Sequence, residues 1–171
     1  MQLNFNASTS KEEVFECVST YLDQKDLAVN KKDSTRPWGG FFVIEEDEAE
    51  NFIQLYFPHL TKEALNISGK LSPKILVVAP GKRLSWQYHH RRAEIWKLIG
   101  GTAGVVTSDT DEEKETTNLA IGDIIQLKQG ERHRLLGTKS WGIIAEIWRH
   151  TDAANPSDED DIVRVQDDFG R

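Results

Sequence analysis

The chain has 171 residues, which corresponds to one domain with a substantial core. Its 28 acidic and 21 basic residues give a net charge of −7, which argues against a general nucleic-acid or anionic-membrane binder. The single cysteine excludes an internal disulfide and a cysteine-rich zinc site. With no long apolar stretch and no signal-peptide pattern, we expect a cytoplasmic protein without a membrane segment.

The first 70 residues predict a helical N-terminal extension that packs on the rest of the chain. Ser10 and Glu13 have the spacing of a capping box, and apolar residues follow at helical spacing. The pattern therefore predicts an amphipathic helix over 11–23.

The rest of this extension alternates between turn, strand and helix patterns. KKDSTRPWGG at 31–40 is typical of a turn-rich connector, and FFVIE at 41–45 is typical of a strand. The segment 47–57 has a helical pattern that ends before Pro58.

Residues 71–150 change to a β pattern. Short β-rich runs follow one another, separated by Gly, Pro or charged turns: ILVVA, RLSWQYH, EIWKLI, AGVVTS, TTNLA, DIIQL, RHRLL and WGIIAEIW. Strands this short, with no helix between them, are typical of an antiparallel sandwich or barrel of the jelly-roll kind. We therefore expect an all-β jelly-roll barrel with a short helical N-terminal extension.

Residues 151–171 form a polar C-terminal arm with few apolar positions. We expect Ile162 and Phe169 to dock this arm on the barrel, with Arg164 or Arg171 paired to an acid.

The charge is unevenly distributed along the chain. Residues 70–100 carry seven bases and a single acid, Glu94, whereas acids are concentrated at 109–115 and 157–161. Charge runs are most often solvated surface. They also suit an anion site for a phosphorylated small substrate, and both interpretations stay open.

Polar side chains in this basic region have the parity of a site. Side chains alternate between the faces of a strand, so four residues of RLSWQYH share one face: Arg83, Ser85, Gln87 and His89. Glu94 opens the next strand, and His133 lies on a facing one. Two imidazoles, a carboxylate and an amide oxygen could bind a divalent metal, although satisfied polar groups inside a barrel would give the same pattern.

The spacing of these residues resembles the two motifs of the cupin superfamily. The first motif, G-x5-H-x-H-x3,4-E-x6-G, matches in order Gly81, Gln87, His89, Glu94 and Gly101. The second motif, G-x5-P-x-G-x2-H-x3-N, matches at Gly122, Gly130 and His133, while Lys128 and Gly137 replace its proline and asparagine at turn positions. Gln87 replaces the first histidine, and this replacement points to a subfamily.

That subfamily resembles the type II phosphomannose isomerases. The similar strings are RPWG at 36–39, Lys74, the PG..LS.Q.HH..AE.W pattern at 80–96, GTA at 101–103, H-R-L around His133, and the tail from EDDIVR to the final GR. The sequence departs from the family at Arg91 and Ile95, where histidines are usual or common. The nucleotidyltransferase domain that often precedes this cupin has no counterpart in the first 70 residues, so we do not expect GDP-mannose synthesis.

The resemblance implies a metal-dependent aldose–ketose isomerase that acts on a sugar phosphate, above all mannose 6-phosphate and fructose 6-phosphate. It implies one divalent metal, zinc first, with iron, manganese, cobalt or nickel also compatible with the ligands. The implied ligands are Gln87, His89, Glu94 and His133.

Further residues are candidates for catalysis and for substrate binding. Glu146 matches a glutamate of the family and is our first choice for the acid/base, with Glu94 and His90 as further candidates. The candidates for substrate binding are Arg83, Ser85, Arg92 and Lys128.

Two other functions remain open. A non-catalytic cupin that binds a sugar or sugar phosphate is favoured by Arg91 in place of the family histidine. A metal-dependent oxygenase could use His89, Glu94 and His133 as its ligands. We expect a small-molecule sugar phosphate as the partner, no nucleic acid, and a homodimer as the default assembly.

Overall fold

Two long antiparallel strands form the centre of the fold in this computed structural model, which describes residues 2–65 and 68–170. Strand β5 (Arg92–Ser108) and strand β8 (Arg132–His150) pair along nearly their whole length. The sequence predicted two shorter strands in each of these regions, and that division is wrong. Glycines that suggested breaks are accommodated within the ladder, because register shifts at 98–100 and 101–103 absorb them as bulges.

Gly101 shows why one of these positions requires glycine. Its φ is +66°, and a Cβ built there would lie 1.7 Å from the carbonyl oxygen of Trp141 on β8. The glycine therefore permits a close approach of two paired strands without ending either of them.

The remaining strands complete an antiparallel barrel, as predicted. They are β1 (Val29–Asp33), β2 (Gly39–Ile44), β3 (Lys74–Val78), β4 (Trp86–Tyr88), β6 (Thr117–Leu119), β7 (Ile124–Leu127) and β9 (Val163–Gln166). The order β1-β2-β3-β8-β4-β9 runs along one path, while β6 and β7 pair with β5. Every pairing between these strands is antiparallel.

The N-terminal region supplies both helices and strands. Helix α1 (Lys11–Asp23) begins after Ser10, whose hydroxyl accepts from the Glu13 amide as the capping box predicted. Helices α2 (Ala49–Tyr56) and α3 (Lys62–Leu65) follow a 3-10 turn at Glu46–Glu48. Strand β1, unpredicted because its side chains are polar and mostly exposed, pairs with β2 and extends the sheet. No helix in the described part of the chain is long and apolar enough to cross a membrane.

Strand β3 separates two apolar clusters. Ile75 and Val77 pack with the helices in an outer cluster, whereas Leu76 and Val78 face the barrel interior. Because both of its faces are covered, all five residues of β3 are buried. The same alternation on β8 turns Glu146 to the barrel interior, between the inward-facing Ile144 and Trp148.

The C-terminal arm docks on the barrel through β9, which pairs with β4. Ile162 and Phe169 are half-buried. Ion pairs also fasten the arm to the barrel: Lys74 with Glu159, Arg83 with Asp168, and Arg91 with Asp158. Among the described residues Arg164 has no ion-pair partner, and Arg171 lies outside the described residues.

Candidate metal centre and its cavity

Two histidines and a glutamate meet inside the barrel. His89 follows β4, Glu94 lies in β5 and His133 lies in β8, and all three are buried. Their candidate ligand atoms all lie within 4.8 Å of one another. His89 Nε2 is 3.1 Å from Glu94 Oε1, and His133 Nε2 is 3.4 Å from Glu94 Oε2.

Main-chain carbonyls orient both imidazole rings. His89 Nδ1 lies 2.6 Å from the Asp161 carbonyl oxygen, and His133 Nδ1 lies 2.9 Å from the Glu131 carbonyl oxygen. A carbonyl only accepts, so each Nδ1 carries a proton, and Nε2 is the nitrogen that each ring turns to the cluster. Histidines that bind metals are commonly held in this way.

The cluster therefore fits a divalent cation. His133 Nε2 and Glu94 Oε2 are buried, face each other and have no hydrogen-bond partner among the described residues. When His133 is neutral, both atoms are acceptors. Two facing acceptors without a donor are unfavourable when buried, and a cation between them would satisfy both.

Arg92 is the nearest positive charge to this cluster. Its Nε donates to Glu94 Oε1 at 2.8 Å, and its Nη2 lies 3.2 Å from His89 Nε2. Burial alone would raise the pKa of Glu94, but the His89 and Arg92 side chains beside it hold that pKa well below its usual value. Glu94 is therefore an ionised carboxylate, the form that binds a metal.

Gln87 and Ser85 lie beside the cluster on the predicted face. Gln87 pairs with His133 in the strand register, and its side-chain oxygen accepts from the Ser85 hydroxyl. Both residues line the same cavity as Glu94. Arg83 does not line it, because regular pairing of β4 starts only at Trp86 and the Arg83 guanidinium binds Asp168 at 2.6 Å instead.

The cavity has a volume of about 420 Å³, within the range of small-molecule sites. Its walls carry both charges and aromatic rings. The cations are Lys31, Arg36, Lys74, Arg92 and Arg164; the acids are Glu94, Glu146, Glu159 and Asp160; the aromatic residues are Trp38, Phe41, Trp96 and Trp148.

Glu146 is a second buried carboxyl group in this cavity. It is 4% exposed, and Trp148 Nε1 donates to its Oε1. Burial, together with the negative charge of Glu94, raises the pKa of Glu146 to about 7. A carboxyl group with this pKa can both accept and release a proton near neutral pH.

Besides Arg83, two further predicted site residues lie outside both the cluster and the cavity. His90 is exposed and does not line the cavity, because it follows His89 and so points to the opposite side; its backbone amide donates to Asp161. Lys128 is exposed in the turn between β7 and β8 and does not line the cavity either.

Sequence reasoning missed four of the cavity's cations, namely Lys31, Arg36, Lys74 and Arg164. Arg36 and Lys74 lie in strings that resemble the isomerase family, which was the available signal. Lys31 and Arg164 are brought in by β1 and β9 from distant parts of the chain, and nothing in their local pattern marks them.

The sequence model for the family described as mannose-6-phosphate isomerase C-terminal matches residues 45–167, which include His89, Glu94 and His133. The chain belongs to this family. The match contains every strand from β3 to β9 and begins within the N-terminal extension.

Curated relatives of this family member include the alginate biosynthesis protein AlgA of Pseudomonas aeruginosa, which is 32% identical over 127 residues. That alignment covers 72% of this chain and 24% of AlgA. The mannose-1-phosphate guanylyltransferase ManC of Salmonella typhimurium is 30% identical over 118 residues, covering 69% of this chain and 23% of ManC. The chain thus spans about a quarter of the length of these relatives.

Solved structures confirm the cupin fold of this family member. The oxalate decarboxylase of Lactobacillus farciminis matches with a TM-score of 0.52 at 18% identity, over 82% of this chain and 34% of that one. CapF, a capsular polysaccharide assembling protein of Staphylococcus aureus, matches with a TM-score of 0.53 at 10% identity, over 80% of this chain and 34% of that one.

Proposed function

We propose that this protein is a metal-dependent isomerase that interconverts mannose 6-phosphate and fructose 6-phosphate. The observation that carries the proposal is that Glu94, which forms the His89–Glu94–His133 cluster, lines the same cavity as the carboxyl group of Glu146. Membership of the mannose-6-phosphate isomerase C-terminal family supports the choice of reaction.

The reaction moves a proton between C1 and C2 of the sugar through an enediol. It needs one group that accepts and returns the proton, and a positive charge near the two neighbouring oxygens. Glu146 is the proton carrier in our proposal, because it is buried in the cavity wall and held by Trp148 Nε1.

The metal is proposed to bind to His89, Glu94 and His133, with Gln87 as a fourth ligand. A divalent cation there would supply a Lewis acid for the oxygens that carry the enediolate charge. Asp161 and Glu131 hold the two imidazoles through their main-chain carbonyls, so the ligand atoms are oriented before any ion binds.

Arg91 contributes to the arm and not to the cavity. Its guanidinium donates to Asn155 Oδ1 and to the Pro156 carbonyl oxygen, and it pairs with Asp158. The replacement of a family histidine at this position therefore leaves the proposed catalytic groups in place, and it no longer favours a non-catalytic binder.

An oxygenase is the second candidate function, because the proposed metal ligands suit it as well. Two histidines and one carboxylate are also the ligands of non-haem iron oxygenases. Glu146 distinguishes the candidates, since an isomerase needs a proton carrier beside the metal.

The test is proton exchange without net oxidation. The protein is loaded separately with zinc, cobalt, manganese and iron and incubated with mannose 6-phosphate in D2O. We expect NMR to show formation of fructose 6-phosphate and incorporation of deuterium at C1 or C2 of the sugar. No turnover with any of the metals would overturn the isomerase, and oxygen consumption with iron alone would favour the oxygenase.

A further inference from the structure

Three cations lie close to one aromatic ring in the cavity wall, two of them from the segment 31–40 and one from β3. Lys31 Nζ, Arg36 Cζ and Lys74 Nζ lie 5.8, 5.5 and 5.8 Å from the centre of the Phe41 ring. All four residues line the cavity. Arg36 pairs with Asp33 at 2.9 Å and Lys74 with Glu159, but three cations share the place with two carboxylates, and a further anion would reduce the repulsion among them.

Lys74 is the most buried of these cations, whereas its counterion is largely exposed to solvent. The Lys74 side chain is 7% exposed, and its ammonium group lies 4.0 Å from the Trp148 ring centre. The carboxylate that pairs with it belongs to Glu159 of the C-terminal arm, whose side chain is 70% exposed. A buried lysine needs an anion, but this anion is mostly in solvent and enters from outside.

Other polar groups in the cavity wall lack ion-pair or hydrogen-bond partners among the described residues. Among the described residues, neither Lys31 nor Arg164 forms an ion pair. Trp38 lines the cavity and is 5% exposed, and its indole N–H has no hydrogen-bond partner in the described part of the chain. A buried donor without an acceptor is a group that a ligand oxygen would satisfy.

We propose that the phosphate group of the substrate binds among Lys31, Arg36 and Lys74, and that it displaces the Glu159 carboxylate from Lys74. The inference rests on the proposed function, because it assigns a phosphate subsite in the same cavity. It moves the phosphate away from Arg83 and Lys128, which the cavity does not include.

The exchange keeps Lys74 paired at every stage. Without substrate, the Glu159 carboxylate neutralises the ammonium group. With substrate, a phosphate of greater negative charge takes that place and also reaches cations that Glu159 does not pair. Glu159 then returns to solvent, where most of its side chain already lies. Glu159 is thus an internal competitor that lowers the apparent affinity for phosphate.

The sign of the Glu159→Gln effect tests this proposal. Binding of fructose 6-phosphate, of inorganic phosphate and of fructose is measured by calorimetry on the purified protein. Removing the competing charge should tighten binding of the two phosphate ligands about 3–10-fold and leave fructose unchanged. If Glu159 instead supported the cavity structurally, the same variant would weaken binding, and that result or an unchanged affinity would overturn the proposal.

Arg36→Gln gives the opposite expectation and Lys128→Gln the matched control. Loss of a charge-assisted contact should weaken phosphate binding about tenfold or more in Arg36→Gln. Lys128→Gln removes a positive charge outside the cavity and should bind as the wild type does. If phosphate affinity fell equally in both variants, the loss of net positive charge would explain the effect, and the proposed subsite would be wrong.

The outcomes also separate this proposal from the isomerase. Calorimetry needs no turnover, so the predicted shifts without isomerisation would retain the anion subsite and reject the enzyme. Isomerisation by a Glu159→Gln variant whose KM and phosphate affinity equal those of the wild type would retain the enzyme and reject the subsite.

Discussion

The interior of the barrel has an apolar half and a charged half, and the same strands build both. The apolar half contains Leu76 of β3, Leu98 of β5, and Leu135 and Ile144 of β8. The charged half contains Lys74 of β3, Glu94 of β5, and His133 and Glu146 of β8. In β3 the next residue on the same face as Lys74 is the apolar Leu76. In β8 the next residue on the same face as Glu146 is the apolar Ile144.

The two halves differ in how well their groups are satisfied. Apolar side chains complete their packing within the fold, so the first half needs nothing from outside. The charged half buries Glu94 Oε2, His133 Nε2 and the Trp96 indole N–H without hydrogen-bond partners among the described residues. Stability is thus expected to depend on the first half and ligand binding on the second, and the predictions below test that division.

Removing a ligand should have the largest effect. His133→Ala deletes one of the two imidazoles of the cluster, so we expect loss of bound metal and of measurable isomerase activity. Metal content is measured by elemental analysis after dialysis, together with the rate of mannose 6-phosphate turnover. The control is His59→Ala, which changes an exposed histidine that does not line the cavity and should behave as the wild type. Full metal content in His133→Ala would contradict the assigned ligand set.

Glu146→Gln should separate metal binding from turnover. The amide keeps the shape of the side chain but cannot accept a proton, so we expect normal metal content and a kcat lower by about 10²–10⁴-fold. The matched control is Glu115→Gln at an exposed position. A kcat within a few-fold of the wild type would remove Glu146 from the reaction and leave Glu94 as the remaining candidate of our three in the cavity.

Leu135→Ala probes the apolar half. Leu135 is fully buried, and its truncation should cost about 2–5 kcal/mol of folding free energy because it leaves a cavity. Urea unfolding measures the loss. Under conditions where the variant is folded, its metal content should equal that of the wild type, and a selective loss of metal would show that the two halves are not separable.

Deleting residues 157–171 should lower the melting temperature by several degrees. The arm pairs β9 with β4 and contributes ion pairs to the barrel, and a loss of about 1 kcal/mol corresponds to about 2–4 °C in a domain of this size. The deletion also removes the Asp161 carbonyl that orients His89, so metal affinity should fall as well. An unchanged melting curve, measured by calorimetry, would identify the arm as a free segment.

His150 should make a small, pH-dependent contribution. Burial, then the charges of Lys70, Arg92 and Arg91, lower its pKa from 6.5 to about 4, although Asp161 opposes them. The unfolded chain therefore takes up a proton near pH 6.5 that the folded protein refuses until about pH 4, and stability is lost as the pH falls through this window.

The contribution of His150 is measured by comparing the pH dependence of stability in the wild type and in His150→Gln. Urea unfolding between pH 7.5 and pH 5 should show a shallower loss of stability in the variant than in the wild type. His59→Gln, at an exposed position, should keep the wild-type slope. Parallel curves for all three proteins would assign the acid sensitivity to the carboxyl groups alone.

The sequence predicted the centre of the site better than its rim. The parity of Ser85, Gln87 and His89 and the two motif spacings depend on neighbouring residues, and local strand geometry preserves such relations. The structure places these residues together with Glu94 and His133.

The rim depends on contacts between distant segments. The Arg83 side chain does not lie on the predicted face, because it forms an ion pair with Asp168 of the arm. Lys31 and Arg164 reach the cavity only through the pairing of β1 and β9, and no local pattern predicts which edge a short polar strand joins. The continuity of β5 and β8 was missed for a related reason, since a glycine can end a strand or form a bulge within it.

The long ladder between β5 and β8 has a consequence for how fast the proposed metal would exchange. Glu94 and His133 lie inside this ladder, so neither strand has to fold when an ion arrives or unfold when it leaves. Many small metal sites exist only in the loaded state, and their loading includes the slow assembly of the ligands. Here the ladder presents two of the proposed ligands in advance, and the rate of metal loading should be set by dehydration of the ion and by its passage through the cavity. The amide protons of the ladder should consequently exchange with solvent equally slowly before and after the metal is removed.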